Sequence, residues 1–217
     1  MIGRRYLFCD LFVVIYQSKI CTIYPNYYYL NKLKTYCMKK IILMVAFCLP
    51  VLASYQSHAQ SLSDIKAQLV KDWERAKAYT VDYLNTMPAD KYSFRAADSI
   101  RSFAQQMLHL AQGNVFLMSN AIDQQPPAWL MSNPEKSATA QQKDSTMYYV
   151  TNSYDYCINA VKNSDLTKWG EKKKVFSFEE TRFALMNKTF EHQGHHRGQT
   201  TVYIRLQGIK PPDERLF

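Results

Sequence analysis

Residues 61–87 read SLSDIKAQLVKDWERAKAYTVDYLNTM, and Pro88 follows. Ile65, Leu69, Trp73, Ala76, Thr80, Leu84 and Met87 recur at steps of three and four, the repeat of a helix with one buried face. Ser61 or Ser63 supplies a side-chain acceptor for the free amides of the first turn. Pro88 has no N–H and its ring clashes with the preceding turn, so the helix stops there. An amphipathic helix of this length needs other elements to cover its apolar stripe.

Downstream, the chain supplies three more of the same kind. Ser99–Ile122 places Ile100, Phe103, Met107, Leu110, Asn114, Leu117 and Ala121 on one face, with Asp98 as its cap. Residues 123–137 carry Pro126-Pro127 and Asn133-Pro134 and read as a loop. Thr139–Lys162 repeats Met147, Val150, Tyr154, Cys157 and Val161. After a polar stretch with Gly170 and Lys172-Lys173-Lys174, with room for a short extended piece, Ser177-Phe178-Glu179-Glu180 has the form of a capping box. It opens a fourth helix through Phe183, Met186 and Phe190 to Leu206, closed by Gly208 and Pro211-Pro212. Four long amphipathic segments without a strand pattern predict an all-α fold, an antiparallel four-helix bundle.

Working back from residue 61, the composition changes. The chain has 217 residues, with 27 Lys and Arg against 18 Asp and Glu, a formal charge of +9. Seven of those basic groups and one acid (Asp10) precede residue 60, which leaves 20 against 17 in residues 60–217. A surplus so small argues against nucleic acid as a partner, and Lys172-Lys173-Lys174 reads as a solvated loop. Four of the five cysteines (Cys9, Cys21, Cys37, Cys48) also fall in the first part. From Met38 the chain runs through Lys39-Lys40, an apolar stretch Ile41–Ala53, and Ser57-His58-Ala59. Basic start, short apolar centre and small residues at −3 and −1 are the parts of a secretory signal. The apolar stretch falls short of the roughly 20 residues that a membrane-spanning helix requires, so no stable span is expected once the signal is cut.

The chain therefore divides into three parts. Residues 38–59 are expected to be a signal peptide cleaved near Ala59, and export to the periplasm or medium follows. Residues 1–37, in which no helical or alternating period is evident, are expected to be an over-extended reading frame or a disordered extension. Residues 60–217 are one domain, long enough to bury a core without disulfides. Its single cysteine, Cys157, lies in an apolar helical register and reads as a small buried hydrophobe.

The domain has four histidines, all on helical segments: His109 on the second, His192, His195 and His196 on the fourth. His192 and His196 are four apart and so share a face, a spacing at which two imidazoles can converge on one cation. His109, in mid-helix on another segment, can complete a three-ligand set in a bundle interior. Spacing alone leaves open a solvated or hydrogen-bonded pair. The zincin pattern is absent, because Gln193 rather than glutamate follows His192. Glu191 and His195 are rotated off the shared face, and His195 reads as a surface or outer-sphere residue.

The run Glu191-His192-Gln193-Gly194-His195-His196-Arg197-Gly198-Gln199, with Tyr203–Gly208 and Pro211-Pro212 after it, resembles the end of the DinB/YfiT-like superfamily. Ser99–Phe103 leading to His109 resembles the same family's second helix. That resemblance implies an up-down-down-up four-helix bundle, frequently a homodimer, that binds a divalent metal through His109, His192 and His196. It also implies metal-dependent hydrolases or thiol-dependent transferases acting on small molecules.

Three imidazoles on zinc, the best-fitting ion, or on nickel leave a coordination position open, the arrangement of catalytic zinc. A water there has its pKa lowered to about 7. Thiol chemistry sits poorly with export, because low-molecular-weight thiol cofactors are mainly cytosolic. The expectation is an exported metal-dependent hydrolase. The alternatives are a non-enzymatic metal-binding or stress-response module, or a thiol-dependent transferase. No second catalytic group is evident: Arg197 and Gln199 read as helix or dimer contacts, and Tyr203 and Arg205 take no assigned role.

Overall fold

The computed structural model describes residues 25–54 and 61–217, which fall in two compact units divided at Ala59. In the first unit, α1 (Pro25–Ser54) runs unbroken past Met38. Tyr29 and residues 31–44 are exposed. Residues 25–37 are thus helical although no helical period is evident in their sequence. Their apolar residues are scattered around the helix, so the one-sided repeat that announces a buried helix is missing while the backbone is still helical. The Ser57-His58-Ala59 motif lies outside the described residues. Among the described residues no helix is long and apolar enough to cross a membrane.

The second unit holds the expected bundle. Its helices are α2 (Leu62–Thr86), α3 (Phe103–Ile122), α4 (Lys143–Asn163) and α5 (Arg182–Leu206). Helix α3 packs against α4 and α5, and α2 against the same two. The sequential pairs α2/α3 and α4/α5 make no comparable contact, so each pair lies across the bundle. Trp73 of α2 sits at the centre, edge-on to Tyr154 of α4 and Phe190 of α5. Phe103, Met107, Leu110, Val150, Cys157, Met186 and Ile204 close the core around it. Cys157 is fully buried and burial pushes its thiol pKa well up, as suits an inert packing residue.

Three boundaries differ from the periodicity reading. Helix α3 starts at Phe103, where Ser102 and Gln105 form a reciprocal capping box. The segment before it, with the 3-10 turn Ala89–Lys91, is held by Phe103 N–H donating to Phe94 O and Ala104 N–H to Tyr92 O. Ile100, assigned above to the apolar face, is therefore exposed before the helix. Helix α4 starts at Lys143, not Thr139.

The supposed capping box at Ser177 falls in an antiparallel hairpin, β1 (Lys172–Val175) and β2 (Phe178–Thr181), paired Lys172 with Thr181 and Val175 with Phe178. The true cap of α5 is Thr181, whose hydroxyl accepts from Ala184 N–H at 3.1 Å. The hairpin's turn, Phe176-Ser177, puts Phe176 at φ 55° without the Asn-Gly or Asp-Gly signature that announces such turns. Three consecutive lysines hide its strand character further. Arg182 fastens hairpin and α5 to α3, reaching Glu171 at 2.9 Å, Asp123 at 2.7 Å and Ala121 O at 3.1 Å.

Candidate metal centre

Helix α5 brings His192 and His196 one turn apart onto the face that packs against α3, and His109 of α3 meets them. The ring centroids are 4.4 Å apart for His192–His196, 4.6 Å for His109–His196 and 5.6 Å for His109–His192. One nitrogen from each ring lies within 4.8 Å of the other two. The structure thus brings together the three residues singled out from sequence. His195 is exposed and stands beside His196 with its ring centroid at 4.9 Å, outside the set.

Each ring has a different second contact. His109 Nδ1 lies 3.0 Å from Glu135 Oε2, and the other Glu135 oxygen accepts from Arg101 Nε at 2.7 Å. A carboxylate there holds the proton on Nδ1 and leaves Nε2 free, the arrangement by which metal-binding histidines are usually oriented. His196 Nδ1 is 2.7 Å from the Gln106 amide, which also contacts the Gln199 amide; Gln199 in turn lies 3.0 Å from His195 Nε2. Amide orientation is an assignment made from the hydrogen-bond network. With both amides turned, Gln106 Oε1 accepts from His196 Nδ1–H and Gln199 Nε2–H, and Gln199 Oε1 accepts from His195. His196 Nε2 is then free for a metal. Finally, His192 Nδ1 is buried with no hydrogen-bond partner in the described structure.

Burial holds His192 and His196 neutral at pH 7. Their pKa values fall from 6.5 to about 4 and about 3, first through desolvation and then through the neighbouring imidazoles and Arg101. Neutral imidazoles, an orphaned buried ring nitrogen and a carboxylate behind His109 fit a divalent cation of the zinc or nickel type.

Four contributors escaped the sequence reading. Gly113 lies one turn beyond His109, and a Cβ there would meet His192 Cε1 at 2.1 Å. A glycine inside a helix costs about 1 kcal/mol relative to alanine, so its occurrence beside a histidine was a usable signal. Gln106 lies one turn before His109, which was also legible. Glu135 and Arg101 come from connections whose approach to His109 no periodicity encodes.

Two cavities lie near the cluster: His109 itself lines the smaller, and the larger is reached through Gln106 and Glu135, which contact the rings, and is lined by no histidine. The larger, about 740 Å³, is lined by Arg95, Ile100, Arg101, Gln106, Glu135 and Gln199, among others. The smaller, about 370 Å³, is lined by His109, Gly113, Phe116, Met131 and Glu135, among others. Arg197, by contrast, is absorbed by structure: its guanidinium lies 4.5 Å over the Tyr79 ring and donates to Gln193 at 2.9 Å. Tyr203 donates to Arg101 O at 2.8 Å, fixing the segment before α3.

Comparison with known proteins agrees with this architecture. The chain is similar in structure to a DinB-like protein from Bacillus cereus ATCC 10987, with 15% identity and a TM-score of 0.55 over 67% of this chain and 95% of that one. It is also similar to a DinB-like protein from Bacillus subtilis, with 18% identity and a TM-score of 0.53 over 69% of this chain and 96% of that one. A comparison with curated proteins finds no match. The model of the DinB family matches residues 57–215, the whole bundle with its three histidines, and the chain accordingly belongs to the DinB family.

Proposed function

We propose that the protein is an exported, metal-dependent hydrolase of a small molecule, working as a homodimer, with zinc or nickel held by His109, His192 and His196. The observation that carries this reading is the convergence of three ring nitrogens within 4.8 Å, two of them on imidazoles held neutral, near a cavity of about 740 Å³ walled in part by Gln106 and Glu135, which contact the rings. A divalent ion there supplies Lewis acidity to a substrate oxygen or a water. The chain's own residues do the rest. Glu135 keeps the His109 proton on Nδ1, Gln106 orients His196, and Gly113 leaves the space that the His192 ring fills. Three protein ligands without a fourth leave room for substrate, which a structural ion capped on all sides does not. The near-balanced charge of residues 60–217 suits a small-molecule substrate rather than a polyanion.

The test is turnover by the purified, zinc-loaded protein of a panel of small carboxylic esters, amides and phosphoesters. At least one class is expected to be hydrolysed, with the rate removed by a chelator and by His192→Ala. Stoichiometric metal without turnover of any class would replace the hydrolase by a metal-binding module.

A further inference from the structure

The larger cavity has a chemistry of its own. Arg95 is held beside it by Phe94, whose carbonyl accepts from Phe103 N–H, and by its own Nη1 donating to Ile100 O. No other partner of Arg95 occurs among the described residues. Arg101 gives its Nε to Glu135, with its side chain 40% exposed. Glu135 is the lining's one acid against two guanidinium groups. Burial raises the pKa of the Tyr203 hydroxyl while Arg95 and Arg101 both oppose the rise, so both guanidinium groups act on the same part of the wall. The remaining wall is apolar at Ala96, Ile100 and Val202. Gln106 and Gln199, which touch His196, form the side towards the histidines.

We infer that this cavity binds the carboxylate of a small, otherwise apolar monoanion, with Arg95 as its principal anchor, and so sets the substrate class of the metal centre. The balance of groups selects that class. One guanidinium is already shared with a carboxylate, so the wall offers a single uncompensated positive charge, which matches a monoanion better than a phosphate dianion. Guanidinium presents a planar fork that pairs with a carboxylate through two parallel hydrogen bonds. The apolar part of the wall, Ala96, Ile100 and Val202, takes an alkyl body, and the surplus of guanidinium disfavours a polycation.

The inference rests on the histidine cluster being the reacting centre, and its test is arranged so that the two can fail separately. Hexanoate, hexanamide, hexylphosphonate and hexylammonium are titrated into the purified, metal-free protein and followed by tryptophan fluorescence or calorimetry. Without metal, binding reports the arginines alone, while the metal content of the loaded protein reports the histidines. Hexanoate is expected to bind at least about tenfold more tightly than the other three. Arg95→Ala, an exposed site whose loss leaves the core untouched, is expected to weaken hexanoate about tenfold without changing hexanamide. Equal binding of hexanoate and hexanamide, or hexanoate binding unaltered in Arg95→Ala, overturns the inference. So does preference for the phosphonate, which would mark a phosphate site.

Discussion

Two faces of α5 carry buried polar groups, and they are built to opposite specifications. On one, Gln193 accepts from Tyr154 at 2.8 Å and from Arg197 at 2.9 Å, and the Tyr154 hydroxyl contacts that of Thr80 at 2.7 Å. Each of these side chains has its partner inside the fold. On the other face, one residue away along the helix, His192 Nδ1 is buried with none. The nearby rings are too basic for where they sit, and their pKa values fall accordingly. A satisfied cluster holds helices together, whereas three imidazoles with an unpartnered nitrogen leave a place that a metal ion could fill. Both faces are equally polar in sequence, so polarity alone does not distinguish structure from function.

Breaking the satisfied face should cost the most stability and leave the site chemistry alone. Tyr154→Ala removes a fully buried ring from the centre of the bundle and should cost about 3–5 kcal/mol in denaturant unfolding. The fraction that remains folded should still take up metal with unchanged stoichiometry. Loss of metal binding in that folded fraction would mean that the two faces are one coupled unit.

Gly113→Ala sharpens the contrast from the other side. An alanine there would favour α3 by about 1 kcal/mol if the space were empty. A Cβ 2.1 Å from His192 Cε1 instead forces the ring away. The expected outcome is little change in unfolding free energy with metal affinity lowered at least about tenfold, comparable to loss of an orienting partner. Unchanged affinity would show that His192 is not a ligand in this position. Glu135→Gln keeps the shape but weakens the acceptor behind His109, and a loss of metal affinity of about 10–100-fold is expected in competition with a chromogenic chelator.

How much of this the sequence disclosed depended on whether a feature repeats along the chain. The bundle and the pairing of His192 with His196 follow from three- and four-residue spacing, which survives in any context. Spacing does not fix the start of α3, because Asp98 and Ser99 compete as caps with Ser102 and the pairing of Phe103 with Phe94 decides between them. The hairpin before α5 was hidden by a turn without glycine or asparagine, and the approach of Glu135 to His109 is set by a loop fold. Gly113 is the exception, a helix-interior glycine one turn from His109 that the sequence itself displays.

The metal-free protein should also show a pH dependence of stability that the two rings set. His192 and His196 have folded pKa values of about 4 and about 3 against 6.5 ordinarily, so the unfolded chain takes up protons first as the pH falls. The stability that these two neutral rings contribute is complete above about pH 6.5 and is lost as the pH falls through 4 and then 3. Wild-type Tm should therefore drop more steeply below pH 6.5 than that of a His192→Gln, His196→Gln double variant. Parallel curves would mean that the rings are not desolvated in solution.

The most direct measurement is the metal content of the purified protein after loading with zinc or nickel and removal of free ion, beside His109→Ala and His192→Ala. One ion per chain is expected in the wild type, with each variant losing most of it while retaining its helical signal. Wild type without stoichiometric metal under either ion, or full occupancy in both variants, would contradict the three-histidine centre.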